Sequence, residues 1–368
     1  VKTTETTAGI HIVIAAGGTG GHIFPALSVA LELRKQVSGV SLEWIGTSRS
    51  REVELCKRNG IPITVLDVEG IKRRLSLSAL RAVAGFVKAL AAMLSHFARK
   101  RPRAVCAFGG YVCAPVLAAA MLRAVPWFLH EQNTVPGLVN RLFSRGARRV
   151  FLGFPLAGKR KLSGHTLVTG TPVRQGDESY AGFSYPEGFD RRKKTILICG
   201  GSQGAASMNE CCVEPVRAWR RQGILVLWQT GAVSYSVIKN TFSGDRGVFV
   251  FDTLDDLYPY YAVSKLVVGR AGASTIAEAA YFGLPCVLVP LPWAAENHQW
   301  VNAGVVQAQG WGVRVEQDDD CGARLEKAVN QLLTDEKLYN AMIMKALDNS
   351  PADAAKNIAG AIAKDLSL

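Results

Sequence analysis

Two doubly wound α/β units, each a parallel sheet covered on both faces by helices, are what this 368-residue sequence predicts. Short apolar runs rich in β-branched residues alternate with longer stretches of helical spacing along the whole chain. Glycine-rich turns follow the first strand of each of two such series, at Gly17 and again at Gly200. The length, with 48% hydrophobic residues, suits two cores rather than one.

In chain order, the first series reads "IHIVIAA", "SLEWIG", "IPITVLDV", "RAVCAF" and "VPWFLH". The run Ile10 to Ala16 lacks a basic front and ends in glycines, so it reads as a core strand rather than a secretory signal. The 19 uncharged residues Ala104 to Leu122 are split by Gly109, Gly110 and Pro115 into strand, turn and helix rather than a membrane span. Between the third and fourth runs, "GIKRRLSLSALRAVAGFVKALAAMLSHFARKRPR" places Leu80, Val83, Val87, Leu90, Leu94 and Phe97 at helical spacing, an expected core stripe, with Phe86 and Met93 in a second row. Periodicity lapses over "SGHTLVTGTPVRQGDESYAGFSYPEGFDRRKK", which puts the seam near residue 173 and the domains at 1–173 and 174–351. The second series is "KTILICG", "ILVLWQT", "GVFVF", "SKLVVG" and "LPCVLVP". After the break "LDNSPADAAKN", a last helix within 352–368 is expected to pack back on the first domain.

Charge is unevenly spread. From Ile71 to Gly176 there are 18 Lys/Arg against one acid, Glu131, whereas residues 1–70 balance and the remainder is net acidic. Such a surface attracts nucleic acid, anionic lipid or phosphorylated ligands. Nucleic acid is disfavoured, because the basic region carries no nucleic-acid-binding motif and the second half is acidic. The eight cysteines form no CxxC pair, so they read as reduced, mostly buried thiols suited to a cytosol. "HEQNT" has Thr134 where a zinc helix of the HExxH type needs histidine, and neither a metal nor a cofactor is expected.

Several segments carry chemistry. In "GGTGGH" the glycines follow a strand and open a helix, where free N–H groups favour an anion or a hydroxyl-rich ligand; a tight turn without ligand fits too. It is not a dinucleotide fingerprint, since the third glycine would fall at Ile23. His22, at the helix start, either satisfies backbone groups or serves as a base near neutral pH. "CGGSQGAASMNE" repeats the arrangement, with Ser202 and Gln203 beside bare amides that suit a diphosphate. In "GRAGASTIAEAAYFGLPCVLVPLP" the small residues Gly272 to Thr275 open a helix whose first turns carry Glu278, placed to accept from ribose hydroxyls, while Arg270 is expected at the surface. "AENHQWVNAG" offers His298 and Gln299 to sugar hydroxyls. Glu131 is either paired or working. The basic helical segment from Ile71 to Arg103 fits contact with an anionic membrane surface, or a broad buried helix with solvated basic ends.

In the order GGTGGHIFPALSVA, GGYVCAP, HEQNTVPG, TPVR, GGSQGA, RAGASTIAE and HQWVNAG, these blocks resemble the MurG-type N-acetylglucosaminyltransferases of bacterial peptidoglycan synthesis, in glycosyltransferase family 28. The resemblance implies a GT-B fold, two Rossmann-like domains facing across a cleft. It implies inverting transfer of GlcNAc from UDP-GlcNAc to undecaprenyl-diphospho-MurNAc-pentapeptide (lipid I), giving lipid II, by a peripheral enzyme at the cytoplasmic face of the inner membrane. Carried over by motif, Ser202 and Gln203 contact phosphate, Leu254 uracil and Glu278 ribose. Ala273, Ser274, Thr275, Ile276 and Ala277 line the same pocket, Gln299 and His298 hold the sugar, and Arg174 guards the seam. Thr19, Gly20, Gly21 and Asn133 contact donor or acceptor from the first domain. His22 is the first choice of base and Glu131 the second; helix N-termini at 201–205 and 273–275 stabilise the departing diphosphate without metal. Lys72, Arg73, Arg74, Arg81 and Lys88 would draw the first domain to an anionic membrane, with Phe86 and Met93 inserting shallowly. The chain departs from the pattern at Cys113, Thr171 and Ala271, where serine, asparagine and serine are commoner. Another UDP-sugar enzyme of the same fold, a glycolipid synthase or a 2-epimerase, is the rival reading.

Overall fold

The apolar runs become parallel strands in a computed structural model that describes residues 9–68, 77–157, 162–175, 180, 182–200 and 205–368. The chain divides into a unit ending at Arg174 and rejoined by Asp353–Leu368, and a unit of Gln175–Ala352. In the first, β1 (His11–Ala15), α1 (Gly20–Gln36), β2 (Ser41–Gly46), α2 (Ser50–Arg58), β3 (Ile63–Val65), α3 (Leu77–Lys100), β4 (Ala104–Ala107), α4 (Cys113–Leu122), β5 (Trp127–Glu131), α5 (Leu138–Phe143), β6 (Arg149–Leu152) and β7 (Thr166–Val168) follow in turn. Their sheet runs β3-β2-β1-β4-β5-β6-β7, parallel throughout. Strand order reverses between β1 and β4, so the turns after these two strands flank the switch point where open sheets bind ligands.

The second unit comprises β8 (Thr195–Cys199), α6 (Ala206–Arg221), β9 (Leu225–Gln229), α7 (Ala232–Thr241), β10 (Val248–Phe251), α8 (Tyr258–Ala262), β11 (Leu266–Gly269), α9 (Ala273–Tyr281), β12 (Cys286–Leu288), α10 (His298–Ala308), β13 (Gly312–Arg314), α11 (Cys321–Thr334) and α12 (Glu336–Asp348). Its sheet, β10-β9-β8-β11-β12-β13, reverses between β8 and β11. The last helix, α13 (Ala354–Leu366), belongs to the first unit. Ala355, Ile358, Ile362 and Leu366, one face at helical spacing, join the core around α1 and β1. A two-pronged Arg149–Asp365 ion pair at 2.9 and 2.8 Å ties α13 to β6.

The structure departs from sequence expectation in three places. The segment read as an irregular seam contains β7, which pairs with β6; its three residues are all exposed at a sheet edge, so they carry no apolar alternation. β6 and β13 are further short strands beyond the expected runs. In α3 the expected core stripe holds in its second half, where Phe97 is buried and Leu90 and Leu94 pack against the core, but turns outward at Val83 and Val87, which are 50% and 57% exposed, while Ala82, Ala89 and Met93 are buried instead. Both rows have helical spacing. The row mixing small and large residues packs inward with Val116, Ala119 and Ala120 of α4, so Met93 is a core residue rather than a membrane-facing one. Among the described residues no helix is long and apolar enough to cross a membrane, and Ala104–Leu122 forms β4, a turn and α4. All eight cysteines are free thiols, and seven are buried.

Candidate active site

At the switch point of the first unit, α1 opens directly after the β1 glycine loop. The first-turn amides of Gly20 and Gly21 therefore have no acceptor within the helix, and no acidic side chain occupies that turn. His22 Nδ1 lies 3.2 Å from the Gly17 carbonyl and 3.4 Å from Thr19 Oγ1. A carbonyl only accepts, so this contact assigns the ring proton to Nδ1 and leaves the Nε2 lone pair available. Burial lowers the His22 pKa, against the raising effect of the Gly17 bond, and the imidazole is neutral at pH 7. Its outer edge lies against Gly109, where a side chain would crowd Cδ2 and Nε2 at 2.7 and 2.9 Å; Gly109 also has a φ of +107°. The Arg174 guanidinium sits 5.3 Å from the centre of the Phe24 ring in the same helix start.

Glu131 ends β5 and is buried. Its Oε1 accepts from Asn133 N at 3.1 Å and Nδ2 at 3.4 Å, and its Oε2 from Gly137 N at 2.9 Å and Asn140 Nδ2 at 2.8 Å. Burial raises its pKa, against these four donors. Of the two readings open from sequence, the geometry fits the paired one: both oxygens are engaged in fastening the loop that presents Asn133. His130, buried beside it, stacks on Phe108 and is held down to about 4 by burial, with the nearby His22 adding to the effect. At Cys113 the thiol donates to the Ala15 and Gly109 carbonyls at 3.2 and 3.1 Å, as a hydroxyl there would. Thr171 Oγ1 is buried without a hydrogen-bond partner.

In the second unit, Gly272 precedes α9, whose first turn is Ala273, Ser274, Thr275 and Ile276, followed by Ala277 and Glu278. Ser274 Oγ is buried without a hydrogen-bond partner. Tyr261, its pKa pushed well up by burial and then by Cys199 and Glu278, stays protonated and donates to Glu278 Oε2 at 3.1 Å. The carboxylate is thereby aimed, a contact the sequence did not announce. Arg270, expected at the surface, is buried: it donates to the Val289 and Pro290 carbonyls at 3.0 and 3.3 Å and to Ser207 Oγ at 3.1 Å, clamping the ends of β11 and β12 to α6. The β12 end leads into α10 through Glu296 and Asn297, both left-handed at φ +56° and +58°, which is costly for glutamate. Behind that strained turn come His298 and Gln299, the latter accepting Leu291 N at 3.0 Å so that its NH2 group points the other way. Leu254, half-buried, follows β10. Ser202 and Gln203 lie outside the described residues. Among the described residues no three His, Cys, Asp or Glu side chains are arranged to hold a metal ion.

Comparison with known proteins gives a consistent result. The Glycosyltransferase family 28 N-terminal domain matches residues 12–152, and the Glycosyltransferase family 28 C-terminal domain matches residues 195–358. A Bacillus licheniformis protein named UDP-N-acetylglucosamine--N-acetylmuramyl-(pentapeptide) pyrophosphoryl-undecaprenol N-acetylglucosamine transferase is 34% identical, covering 95% of this chain and 97% of its own. Its namesake from Bacillus subtilis is 32% identical over 95% and 98%. The crystal structure of Acinetobacter baumannii MurG superposes with a TM-score of 0.73 at 28% identity, over 96% of this chain and 99% of that one. Staphylococcus aureus MnaA, solved with UDP, shares the fold at a TM-score of 0.72 but only 16% identity, over 97% of each chain.

Proposed function

The chain belongs to glycosyltransferase family 28, and from that premise we propose that it transfers N-acetylglucosamine from UDP-GlcNAc to undecaprenyl-diphospho-N-acetylmuramoyl-pentapeptide, making lipid II. The observation that carries this reading is that the similarity to relatives bearing that name runs through both units, over 95% of the chain. A 2-epimerase would keep the donor half and differ in the acceptor half.

In this reading the muramoyl 4-hydroxyl attacks C1 of GlcNAc from the face opposite UDP. Its proton passes to His22 Nε2, the C1–O bond to UDP breaks, and the α-linked donor gives a β-1,4 product. Glu131 acts as a positioning residue for the Asn133 loop. Thr19, Gly20, Gly21, Asn133 and Arg174 serve the substrates from the first unit. On the second, Glu278 takes the ribose hydroxyls, Leu254 the uracil, and Ser202, Gln203 and the first α9 amides from Ala273 to Thr275 the diphosphate, where preorganised N–H groups offset the charge developing on UDP; Ile276 and Ala277 line the same pocket. Gln299 and His298 hold the sugar.

The acceptor is a lipid, so the enzyme works at the cytoplasmic face of the inner membrane. Arg81 and Lys88 on one side of the exposed arc of α3, with Val83 and Val87 on the other, make a basic and apolar surface suited to an anionic bilayer, each charge contributing about 1 kcal/mol near the surface. Lys72, Arg73 and Arg74 lie outside the described residues. Incubation with labelled UDP-GlcNAc and lipid I, followed by thin-layer separation, tests the proposal: label in a disaccharide lipid is the expected result. Lipid-independent conversion of UDP-GlcNAc to its C2 epimer, with the sugar still on UDP, would replace it with the epimerase reading.

A further inference from the structure

A carboxylate that the proposed chemistry leaves unused lies directly beneath the first glycine loop. Glu52, in α2, is fully buried. Its Oε1 accepts from the Trp44 indole N–H at 2.9 Å and from Thr47 N at 3.0 Å, and its Oε2 accepts from Thr47 Oγ1 at 2.7 Å. A side chain at Gly46 would overlap the Glu52 carboxyl, so the end of β2 is bare where the acid lies on it. The turn that Glu52 ties together grips the loop above. A Cβ on Gly17 would meet the Thr47 methyl at 3.0 Å, Val112 Cγ1 at 3.2 Å and Glu52 Oε1 at 3.5 Å. Arg49, in the same turn, donates to the Gly18 carbonyl. From the other side a Cβ on Gly110, whose φ is +91°, would overlap the Gly17 carbonyl.

The Gly17 α-carbon is therefore packed on the β2–α2 turn and its carbonyl against Gly110, and this carbonyl is the group that accepts from His22 Nδ1. A neutral imidazole has two tautomers, and only the one protonated at Nδ1 carries a basic Nε2. Thr19 Oγ1, a hydroxyl that both donates and accepts, does not choose between them; the carbonyl does. We propose that Glu52 is a positioning residue: through Thr47 it fixes the Gly17 carbonyl, which keeps His22 in the Nδ1–H tautomer with Nε2 free to take the acceptor's proton. The proposal rests on the reading of His22 as the base, but its central consequence, the tautomer, is measurable without turnover.

The test combines nitrogen-15 NMR of the His22 ring with steady-state kinetics on Glu52→Ala, Thr47→Ala and the near-isosteric Glu52→Gln. In the first two, the Nδ1–H signature of the wild-type ring gives way to a mixture. Turnover falls roughly 10- to 100-fold while KM for UDP-GlcNAc stays within about twofold, the pattern of a displaced catalytic group rather than a lost binding contact. Glu52→Gln keeps an acceptor for Trp44 and Thr47 N, and the Thr47 hydroxyl turns to accept from the new amide, so most of the turnover and the tautomer return. Where Glu52→Ala does not fold, Thr47→Ala decides. Folded variants with the wild-type tautomer and pH profile overturn the proposal. If His22→Ala leaves turnover intact while the tautomer still follows residue 52, the positioning stands and the base assignment falls.

Discussion

His22 and Glu278 carry the sharpest expectations. His22→Ala should cut turnover roughly 100- to 10,000-fold with UDP-GlcNAc affinity nearly unchanged, as calorimetry and initial rates on the same preparation will show. Because burial lowers its pKa below the ordinary 6.5, the base form is present at neutral pH, and kcat/KM should fall only as pH drops through that lowered value. Glu278→Ala should weaken UDP binding by about 1.5–3 kcal/mol, roughly 10- to 150-fold, through the lost charge-assisted ribose bonds; unchanged affinity would remove it from the ribose. His130 makes a separate pH prediction. It stays neutral in the folded state down to about 4 but protonates near 6.5 when unfolded. Stability present above pH 6.5 should therefore be lost as pH falls toward 4, by about 3 kcal/mol at the full shift. Urea midpoints measured across that range should slope less steeply in His130→Phe.

Most elements with a long hydrophobic signature were legible in the sequence, whereas short strands such as β6, apolar but only four residues long, were not. β1, β8 and β9 are mostly apolar or β-branched runs and lie where such runs must, within their sheets. β7, exposed along its length, and β13, three residues long, owe their pairing to neighbours that no local pattern reveals. Periodicity likewise found α3 and the inward side of its second half, at Leu90, Leu94 and Phe97, but not that of its first, where Val83 and Val87 face outward and the packed partner takes Ala82 and Ala89. The site shows the same division. Glycine loops and the residues behind them were readable, whereas Glu52 bonds the end of the preceding strand, Tyr261 reaches from α8 to Glu278 on α9 and Arg270 is buried by tertiary contact, none of which a linear pattern encodes. α13 returns to the first unit far from it in sequence, and its weight is testable: Ile358→Ala or Ile362→Ala, each removing a fully buried side chain, should cost about 2–5 kcal/mol and lower Tm for the first unit.

Across the whole molecule, two similar units carry unlike charge, and the account assigns the cationic one to a membrane-held acceptor. Changing Lys72, Arg73 and Arg74 together to glutamate should reduce co-sedimentation with anionic vesicles and turnover of vesicle-borne lipid I, while a water-soluble short-chain acceptor is used nearly as before. Added salt should weaken wild-type vesicle binding in the same direction. Equal losses on both acceptors would place these charges at the acceptor's diphosphate instead. The central claim, that both substrates meet in one inverting transfer, is tested most directly by UDP release from UDP-GlcNAc with and without lipid I. The account predicts release that requires lipid I, matches lipid II formed one for one, and is lost in His22→Ala; UDP release at the same rate without lipid I would contradict it.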